Sequence, residues 1–334
     1  KDKKMERYNY AENVSKVRQR NAMSIKDNTE KMKAFSFAIR SGDKNKIESM
    51  LTVSTTLKEI ATSSEDWDTD DLSFQCDNGV FVLTDGSFID GKPGHMISQC
   101  SGVNYDPNAE CPIFDQFLLD IMDGDEELTE YLLMCLGYSM SGLTDEQCMF
   151  ILNGNGANGK SVLLDLMSFI YGDYTVHTRF DAFLKKFNNT STNDLARLSK
   201  ARMVTANESG VGKNWDEERI KEITGGDKIT ARFMYAEFFE FRSQIKLWCA
   251  TNNLPKTDDL TDAFWQRMVV IPFDKQFKGD DRNTNILEEL KRESSGILNR
   301  LYQGFQQWTD TTLKNPPPRV VDAVKEYKAE SDVV

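Results

Sequence analysis

One glycine-rich segment of the chain has residue types and spacing suited to binding phosphate. Residues 154–161 read GNGANGKS, which fits the pattern G-x-x-x-x-G-K-[ST]. In that pattern backbone N–H groups surround the phosphates, the lysine reaches the outer phosphates and the hydroxyl binds Mg²⁺. The simpler alternative is a glycine-rich turn that binds nothing. We predict a nucleotide site with Mg²⁺ bound through Ser161, and its predicted contacts are Gly154, Asn155, Gly156, Ala157, Asn158, Gly159, Lys160 and Ser161.

The segments on either side of this loop predict a strand before it and a helix after it. Residues 148–153 form an apolar run short enough for a buried strand, and residues 162–170 place apolar side chains at helical spacing. A helix that begins near Lys160 directs the positive end of its dipole toward the bound phosphates. The loop is therefore predicted to lie at a strand-to-helix junction.

Polar residues follow two further predicted strands. The strand over 201–206 leads to Asn207 and Glu208, and the strand over 244–251 leads to Asn252. Because the carboxyl ends of parallel strands face one crevice, we expect both to lie beside the phosphate loop. There Glu208 would polarise a water molecule and Asn252 would orient it at the γ-phosphate. Either residue alone is equally typical of a turn at a strand end.

Two other parts of the chain carry basic residues with two possible roles. Between 223 and 241, glycines precede two aromatic-rich strands, and Lys228, Arg232 and Tyr235 combine charge and aromatic surface as in DNA-binding loops. Aromatic residues in strands are also typical of a core. Arg267 lies between a predicted short helix over 262–266 and a strand over 268–273. It could form a surface ion pair or supply positive charge to a transition state at an interface.

Composition limits the classes of protein to which the chain belongs. Its 334 residues exceed the roughly 250–300 at which one core stops growing, so we expect at least two packed units. The sequence has no apolar run of about 18 residues and does not begin like a signal peptide, so we expect a cytoplasmic protein. Six scattered cysteines and two histidines favour reduced thiols over a zinc site. The net charge of −12 leaves room for a local basic loop that contacts nucleic acid.

The order of predicted elements gives a domain organisation. Alternating strands and helices after the phosphate loop predict an α/β fold with a mainly parallel sheet. We expect a charged arm over 1–30 and a mostly helical domain with a small β-hairpin over 31–142. A nucleotide-binding α/β domain would span 143–310, followed by a proline-rich linker and helix over 311–334. Because the chain begins with Lys1, we expect it to be part of a longer protein.

A series of motifs along most of the chain resembles the carboxyl-terminal half of phage and plasmid primase-helicases. These are superfamily 3 helicases of the AAA+ class, related to poxvirus primase-helicases. The motifs are, in chain order, VNYDPNA over 103–109, LGY over 136–138, the phosphate loop, EITGGD over 222–227, ATNNLP over 250–255, FWQR over 264–267 and IPF over 271–273.

The resemblance implies a role for each predicted site residue. Lys160 and Ser161 would belong to Walker A, Glu208 would end Walker B, and Asn252 would be sensor 1. Arg267 would be the arginine finger, and residues 225–245 would form the hairpin that contacts DNA. In this chain Asn207 precedes Glu208 where related chains often have a second acidic residue, and Gln266 replaces a second basic residue beside the finger.

The resemblance also implies an activity and partners. The chain would be the ATP-dependent helicase core of a replication protein, a ring, expected to be a hexamer, around single-stranded or forked DNA. ATP and Mg²⁺ would bind between subunits, and a primase domain is expected in the full-length protein. The alternatives are a P-loop kinase, a packaging motor or a non-catalytic assembly module.

Overall fold

The computed structural model describes residues 3–57, 61–63, 66–185, 193–207, 214–258, 261–279 and 282–332. The chain divides into a smaller unit, Lys1–Trp67, and a larger unit, Asp68–Val334.

The described residues of the smaller unit form three α-helices: α1 (Lys3–Met23), α2 (Asn28–Ser41) and α3 (Lys44–Ser54). Asp27 caps α2, because its carboxylate accepts from the Glu30 N–H at 2.8 Å. Small side chains let α1 approach α2 closely, and Ser15 Oγ donates to the Ala38 carbonyl at 2.7 Å. The charged arm predicted over 1–30 is thus largely a packed helix. The sequence gives little sign of this packing, because the side chains of α1 that are buried, Ala11, Ser15 and Ala22, are small and not strongly apolar.

A five-stranded parallel sheet forms the centre of the larger unit. Its order is β10 (Met268–Pro272), β4 (Met149–Asn153), β9 (Lys246–Thr251), β6 (Met203–Asn207) and β5 (Thr175–Arg179). Strand β4 has a core on each face: Phe150 and Leu152 lie in one, and Met149 and Ile151 in the other. Burial on both faces explains why this strand reads as a continuous apolar run. The predicted α/β fold with a parallel sheet is confirmed.

Helices and two small antiparallel sheets complete the larger unit. Strands β1 (Ser73–Cys76), β2 (Gly79–Val82) and β3 (Phe88–Ile89) form one small sheet, and β7 (Lys228–Ala231) with β8 (Phe239–Arg242) forms the other. The helices are α4 (Pro112–Ile121), α5 (Glu126–Tyr138), α6 (Lys160–Tyr171), α7 (Asn193–Arg197), α8 (Glu217–Thr224), α9 (Asp262–Trp265), α10 (Ile286–Arg292), α11 (Ser294–Thr311) and α12 (Pro318–Ser331).

The compact units do not follow the predicted domain limits at 30, 142 and 310. Helices α4 and α5 share a core with the sheet, and Trp248 Nε1 of β9 donates to Ser139 Oγ at 3.1 Å. Gly137 of α5 lies so close to α11 that an added Cβ would be 2.2 Å from the Phe305 nitrogen. The segment predicted as a linker contains α12, whose buried Tyr327 hydroxyl accepts from Trp215 Nε1 at 2.7 Å. The helices before residue 142 and the helix after residue 310 therefore pack on the α/β domain, so the predicted limits at 142 and 310 do not separate compact units.

In the part of the chain that the structure describes, no helix is long and apolar enough to cross a membrane. The six cysteines are free. Burial raises the pKa of Cys76 to about 12.

Candidate nucleotide-binding site

The phosphate-loop sequence lies between the end of β4 and the start of α6, as predicted. Four residues of the loop have positive φ: +156° at Gly154, +69° at Gly156, +48° at Ala157 and +88° at Gly159. Gly159 also leaves no room for a side chain, because an added Cβ would be 2.5 Å from Ile121 Cγ2. Both the angle and the close contact require glycine directly before α6.

The Lys160 side chain lies across the loop and is only 6 % exposed. Its ammonium donates to the Gly154 carbonyl at 2.5 Å, to Asn158 Oδ1 at 3.0 Å and to Asn252 Oδ1 at 3.3 Å. These three acceptors are neutral oxygens, and an anionic phosphate would bind the ammonium more strongly than any of them.

Asn252 reaches this position because of the strand order. It directly follows β9, which is paired with β4 in parallel register, so Asn153 lies opposite Thr251. Both strands therefore end at the same edge of the sheet, where the phosphate loop begins. The structure brings Asn252 and Lys160 together as the sequence pattern predicted.

The segment after β10 holds the loop in its conformation. Asn158 Nδ2 donates to the Phe273 carbonyl at 3.0 Å, and the Phe277 N–H donates to the Ala157 carbonyl at 2.7 Å. Gln276 Nε2 donates to the Asn155 carbonyl at 2.9 Å. Three hydrogen bonds from one segment thus hold the backbone and the Asn158 side chain of the loop in this conformation.

A cavity of about 790 Å³ opens next to the loop, within the usual size range of small-molecule sites. The loop and Asn252 form one side of it. Its apolar walls come from Ile113, Phe117, Val162, Phe277 and Ile286, and its other polar side chains are Gln116, Asp120, Ser161, Arg282, Asn283 and Glu289. Apolar walls beside a phosphate loop suit a nucleotide, whose base is flat and whose phosphates are charged.

The wall formed by α4 was not predicted from the sequence. Ile113, Gln116 and Asp120 recur at helical spacing and line the cavity, whereas Phe114 and Leu118 are fully buried. Gln116 and Asp120 thus lie on one face of α4, a signal present in the sequence, but only tertiary packing shows that this face meets the phosphate loop.

Glu293 positions α4 at the cavity. Cys111, the residue before the helix, makes no side-chain capping bond. Instead, the Glu293 carboxylate accepts from the N–H groups of Ile113 at 3.2 Å and Phe114 at 3.0 Å. Because α10 ends at Arg292, this cap joins two of the cavity walls.

Two buried cations hold the segment that leads into β4. Arg202 Nη1 donates to the Met140 carbonyl at 2.7 Å, and Lys246 Nζ donates to the carbonyls of Ser141 and Leu143, the latter at 3.2 Å. Burial lowers the pKa of both side chains. Arg202 directly precedes β6, and Lys246 is the first residue of β9. Their hydrogen bonds therefore hold the beginnings of two strands whose carboxyl ends lie at the cavity.

The predicted site residues differ in where the structure places them. Ser161 lines the cavity, where its hydroxyl fits a ligand to a nucleotide-bound Mg²⁺. Glu208 lies outside the described residues, and β6 ends at Asn207. Among the described residues no group of three or more His, Cys, Asp and Glu could hold a metal ion by itself.

Arg267 lies at the end of the sheet where the strands begin, whereas the phosphate loop lies at the end where they finish. It directly precedes β10, and its carbonyl accepts from the Met149 N–H at the start of β4. Its guanidinium donates to the Ala263 carbonyl at 2.6 Å and to Gln147 Oε1 at 3.1 Å. Five residues of strand, roughly 16 Å, separate this edge from the loop. Arg267 is therefore not next to Lys160 of its own chain.

The hairpin β7–β8 presents the three residues predicted to contact DNA. Lys228 pairs with Glu240 at 3.4 Å with both side chains exposed, and Arg232 lies 4.7 Å from the centre of the Phe238 ring. Tyr235 is 97 % exposed, with φ of +62°. Core and surface alternate in β7, where Ile229 and Ala231 are the buried residues. The core interpretation thus holds for Ile229 and Ala231, whereas DNA contact by Lys228, Arg232 and Tyr235 stays a prediction.

Comparisons with known proteins agree with this architecture. Residues 2–123 match the family described as "D5 N terminal like", and residues 152–267 match a family of unknown function, DUF5906. The second match includes the phosphate loop, Asn252 and Arg267.

The relatives are viral proteins named as putative helicases. The chain is 31 % identical over 249 residues to "Putative helicase L207/L206" of Acanthamoeba polyphaga mimivirus, a match that covers 72 % of this chain and 25 % of the relative. It is 27 % identical over 330 residues to "Putative helicase 121R" of Invertebrate iridescent virus 3, which covers 87 % of this chain and 35 % of the relative. The chain thus spans about a quarter to a third of the length of these relatives.

A solved structure shares the fold. The apo A form of the NrS-1 C-terminal region superposes with a TM-score of 0.53 at 18 % identity, over 67 % of this chain and 53 % of that chain. At this identity the likeness supports the α/β P-loop fold alone. The viral relatives and the matched D5-type segment lead to one assignment: the chain belongs to the family of phage and viral primase-helicases.

Proposed function

We propose that this chain is the ATP-dependent helicase core of a viral or phage replication protein. The observation that carries the proposal is the convergence of the Lys160 ammonium and the Asn252 amide at the phosphate loop, beside a cavity of about 790 Å³. The viral relatives are named as helicases, which supports DNA unwinding as the use of the hydrolysed ATP.

In this proposal each part of the site has a chemical task. The loop N–H groups, the positive end of the α6 dipole and Lys160 bind the phosphates, and Ser161 ligates the Mg²⁺ that accompanies them. Asn252 orients the attacking water, and Glu208 accepts its proton. The apolar walls formed by α4 and α10 enclose the base and keep bulk water from the phosphates.

The proposed assembly is a ring, expected to be a hexamer, with ATP between subunits. Arg267 supports this part because it lies at the sheet edge away from its own phosphate loop, where it could complete a neighbour's site. In the ring, the β7–β8 hairpin would contact single-stranded or forked DNA. The proposed place of action is the cytoplasm of a host cell.

The proposal predicts that single-stranded DNA stimulates ATP hydrolysis and that the chain displaces a strand from a forked duplex. The test combines these two assays with a mass measurement in the presence of a non-hydrolysable ATP analogue. If hydrolysis is unchanged by DNA and the chain stays monomeric with nucleotide, the helicase proposal fails. Phosphate transfer to an acceptor other than water would instead indicate the alternative, a P-loop kinase.

A further inference from the structure

The smaller unit carries charge of the opposite sign to the rest of the chain. Residues 1–67 contain 14 Lys and Arg against 10 Asp and Glu, a net charge of +4, so residues 68–334 carry −16 of the total −12. The net charge of the smaller unit therefore favours long-range attraction of a polyanion, whereas the net charge of the larger unit opposes it.

Exposed apolar and aromatic side chains occupy one face of α1. Tyr10, Val14 and Val17 are 75 %, 37 % and 52 % exposed, and their spacing of four and three residues places them along one side of the helix. The side of α1 that packs on α2 is formed by small residues such as Ser15. The apolar side is thus additional to the one that holds the helices together.

Three basic residues and a second aromatic ring adjoin this face. Phe37 of α2 is 60 % exposed, and the Arg18 guanidinium lies 5.8 Å from the centre of its ring. Lys33 and Arg40 are exposed and lie four residues before and three after Phe37, hence on the same side of α2. We call the surface formed by Tyr10, Val14, Arg18, Lys33, Phe37 and Arg40 the α1–α2 face.

We propose that the α1–α2 face binds single-stranded nucleic acid, separately from the β7–β8 hairpin. Arg18, Lys33 and Arg40 would contact phosphates, while Tyr10 and Phe37 would stack on bases. Rings that alternate with cations match the repeat of bases and phosphates along a single strand. A duplex hides the flat surfaces of its bases, so it would leave the exposed rings without partners. The inference rests on the proposed function in one respect: a helicase produces the single-stranded nucleic acid that this face would bind.

The test measures binding of the full chain to a labelled single strand of about 20 nucleotides, longer than one typical site. The triple variant Arg18→Gln, Lys33→Gln, Arg40→Gln should bind ten- to a hundredfold more weakly at about 0.1 M salt, with a slope of log affinity against log salt flatter by about 2. Phe37→Ala should weaken binding on the order of tenfold and leave that slope unchanged, because it removes stacking without charge.

A matched triple variant separates this face from net charge. Lys16→Gln, Lys44→Gln, Lys46→Gln removes the same charge from the same unit, but Lys16 pairs with Glu12 at 2.8 Å on another side of α1, and the other two lie on α3. This variant should bind almost as well as the unmodified chain. Equal losses in both triple variants would overturn the inference, and so would an equal loss of duplex binding.

Other outcomes distinguish this inference from the proposed function. Unchanged DNA affinity in a chain that still hydrolyses ATP would overturn the inference alone. A change in oligomer mass with unchanged DNA affinity would overturn it in favour of contact with the acidic unit of a second copy. An unmodified chain that neither hydrolyses ATP nor binds DNA would overturn the proposed function as well.

Discussion

At the scale of single residues, contacts within the chain hold the Lys160 side chain across the phosphate loop. The Lys160 ammonium is held by one carbonyl and two asparagine oxygens. A phosphate oxygen adds the attraction of a full negative charge to the ammonium, which these neutral oxygens do not. We therefore expect the lysine to exchange these oxygens for phosphate oxygens, with little change in the loop itself.

Replacing Lys160 should separate catalysis from folding. Lys160→Ala should lower ATP turnover at least a hundredfold because it removes the charge at the outer phosphates, whereas the lost hydrogen bonds should cost only about 1–2 kcal/mol of unfolding free energy. Steady-state hydrolysis and urea unfolding would measure the two effects. Lys325→Ala is the control, since Lys325 does not line the cavity and pairs with Asp322 on the exposed side of α12 at 3.1 Å. Global unfolding of Lys160→Ala would assign the lysine a structural role instead.

Replacing Asn252 by aspartate keeps the shape of the side chain and adds a negative charge. Asn252→Asp places a carboxylate where the amide oxygen is 3.3 Å from the Lys160 ammonium. It should compete with the outer phosphate for the lysine and lower ATP affinity at least tenfold, an effect of about 1.4 kcal/mol or more. Asn252→Ala should mainly lower turnover. Calorimetric titration with ATP distinguishes them, and similar affinities for both variants would place Asn252 away from the phosphates.

At the scale of elements, the sequence predicted local features well. The strand, glycine loop and helix over 148–170 are confirmed because their signals lie within one continuous segment. The α4 and α10 walls were missed because contacts between residues some 170 positions apart create them. Arg202 and Lys246 are fully buried in the sheet region, although charge normally indicates a surface position. Backbone carbonyls that compensate such cations leave no mark in the sequence.

The cap on α4 tests whether that helix belongs to the nucleotide site. Glu293→Ala removes the acceptor for two backbone N–H groups and should destabilise the chain by about 1–2 kcal/mol. It should also weaken ATP binding several-fold, since α4 forms one wall of the cavity. Chemical denaturation and ATP titration measure the two effects. Glu288→Ala is the matched control, because Glu288 is exposed on α10 and pairs only with Lys291 among the described residues. Normal ATP affinity in a destabilised Glu293→Ala variant would remove α4 from the site.

The β7–β8 hairpin offers changes of opposite charge. Arg232→Ala and Lys228→Ala should each weaken single-strand binding and flatten the salt slope by about 0.7. Glu240→Gln should strengthen binding, because Glu240 holds the Lys228 ammonium at 3.4 Å and repels phosphate. Anisotropy titrations at several salt concentrations would measure all three. If the slope is the same for all three variants, the DNA contact lies elsewhere.

At the scale of the whole molecule, the sheet separates two groups that hydrolysis would require together. Lys160 and Asn252 lie at the carboxyl ends of the parallel strands, and Arg267 lies at their amino ends, beside Gln147. A self-contained enzyme would keep all its catalytic charges in one crevice. Separation across the sheet is what the proposed ring needs, since one subunit's amino edge can face the next subunit's loop.

Arg267 should therefore act on a neighbouring subunit. A finger of this kind neutralises charge on the transferring phosphoryl group and is worth ~10³–10⁵ in rate. Arg267→Ala should accordingly lose nearly all hydrolysis and still bind ATP. Gln147→Ala is the control, since it removes only the hydrogen-bond partner of the guanidinium and should keep most of the activity.

Mixing two inactive variants decides whether the action is in trans. In rings formed from Arg267→Ala and Lys160→Ala subunits, some interfaces pair an intact Lys160 from the first with an intact Arg267 from the second. Those interfaces should recover measurable ATP hydrolysis, because each contains every group that the site requires. Rings that contain both variants by mass and remain as inactive as either alone would show that Arg267 completes no neighbour's site. The hydrogen bonds to Ala263 and Gln147 would then be its whole role.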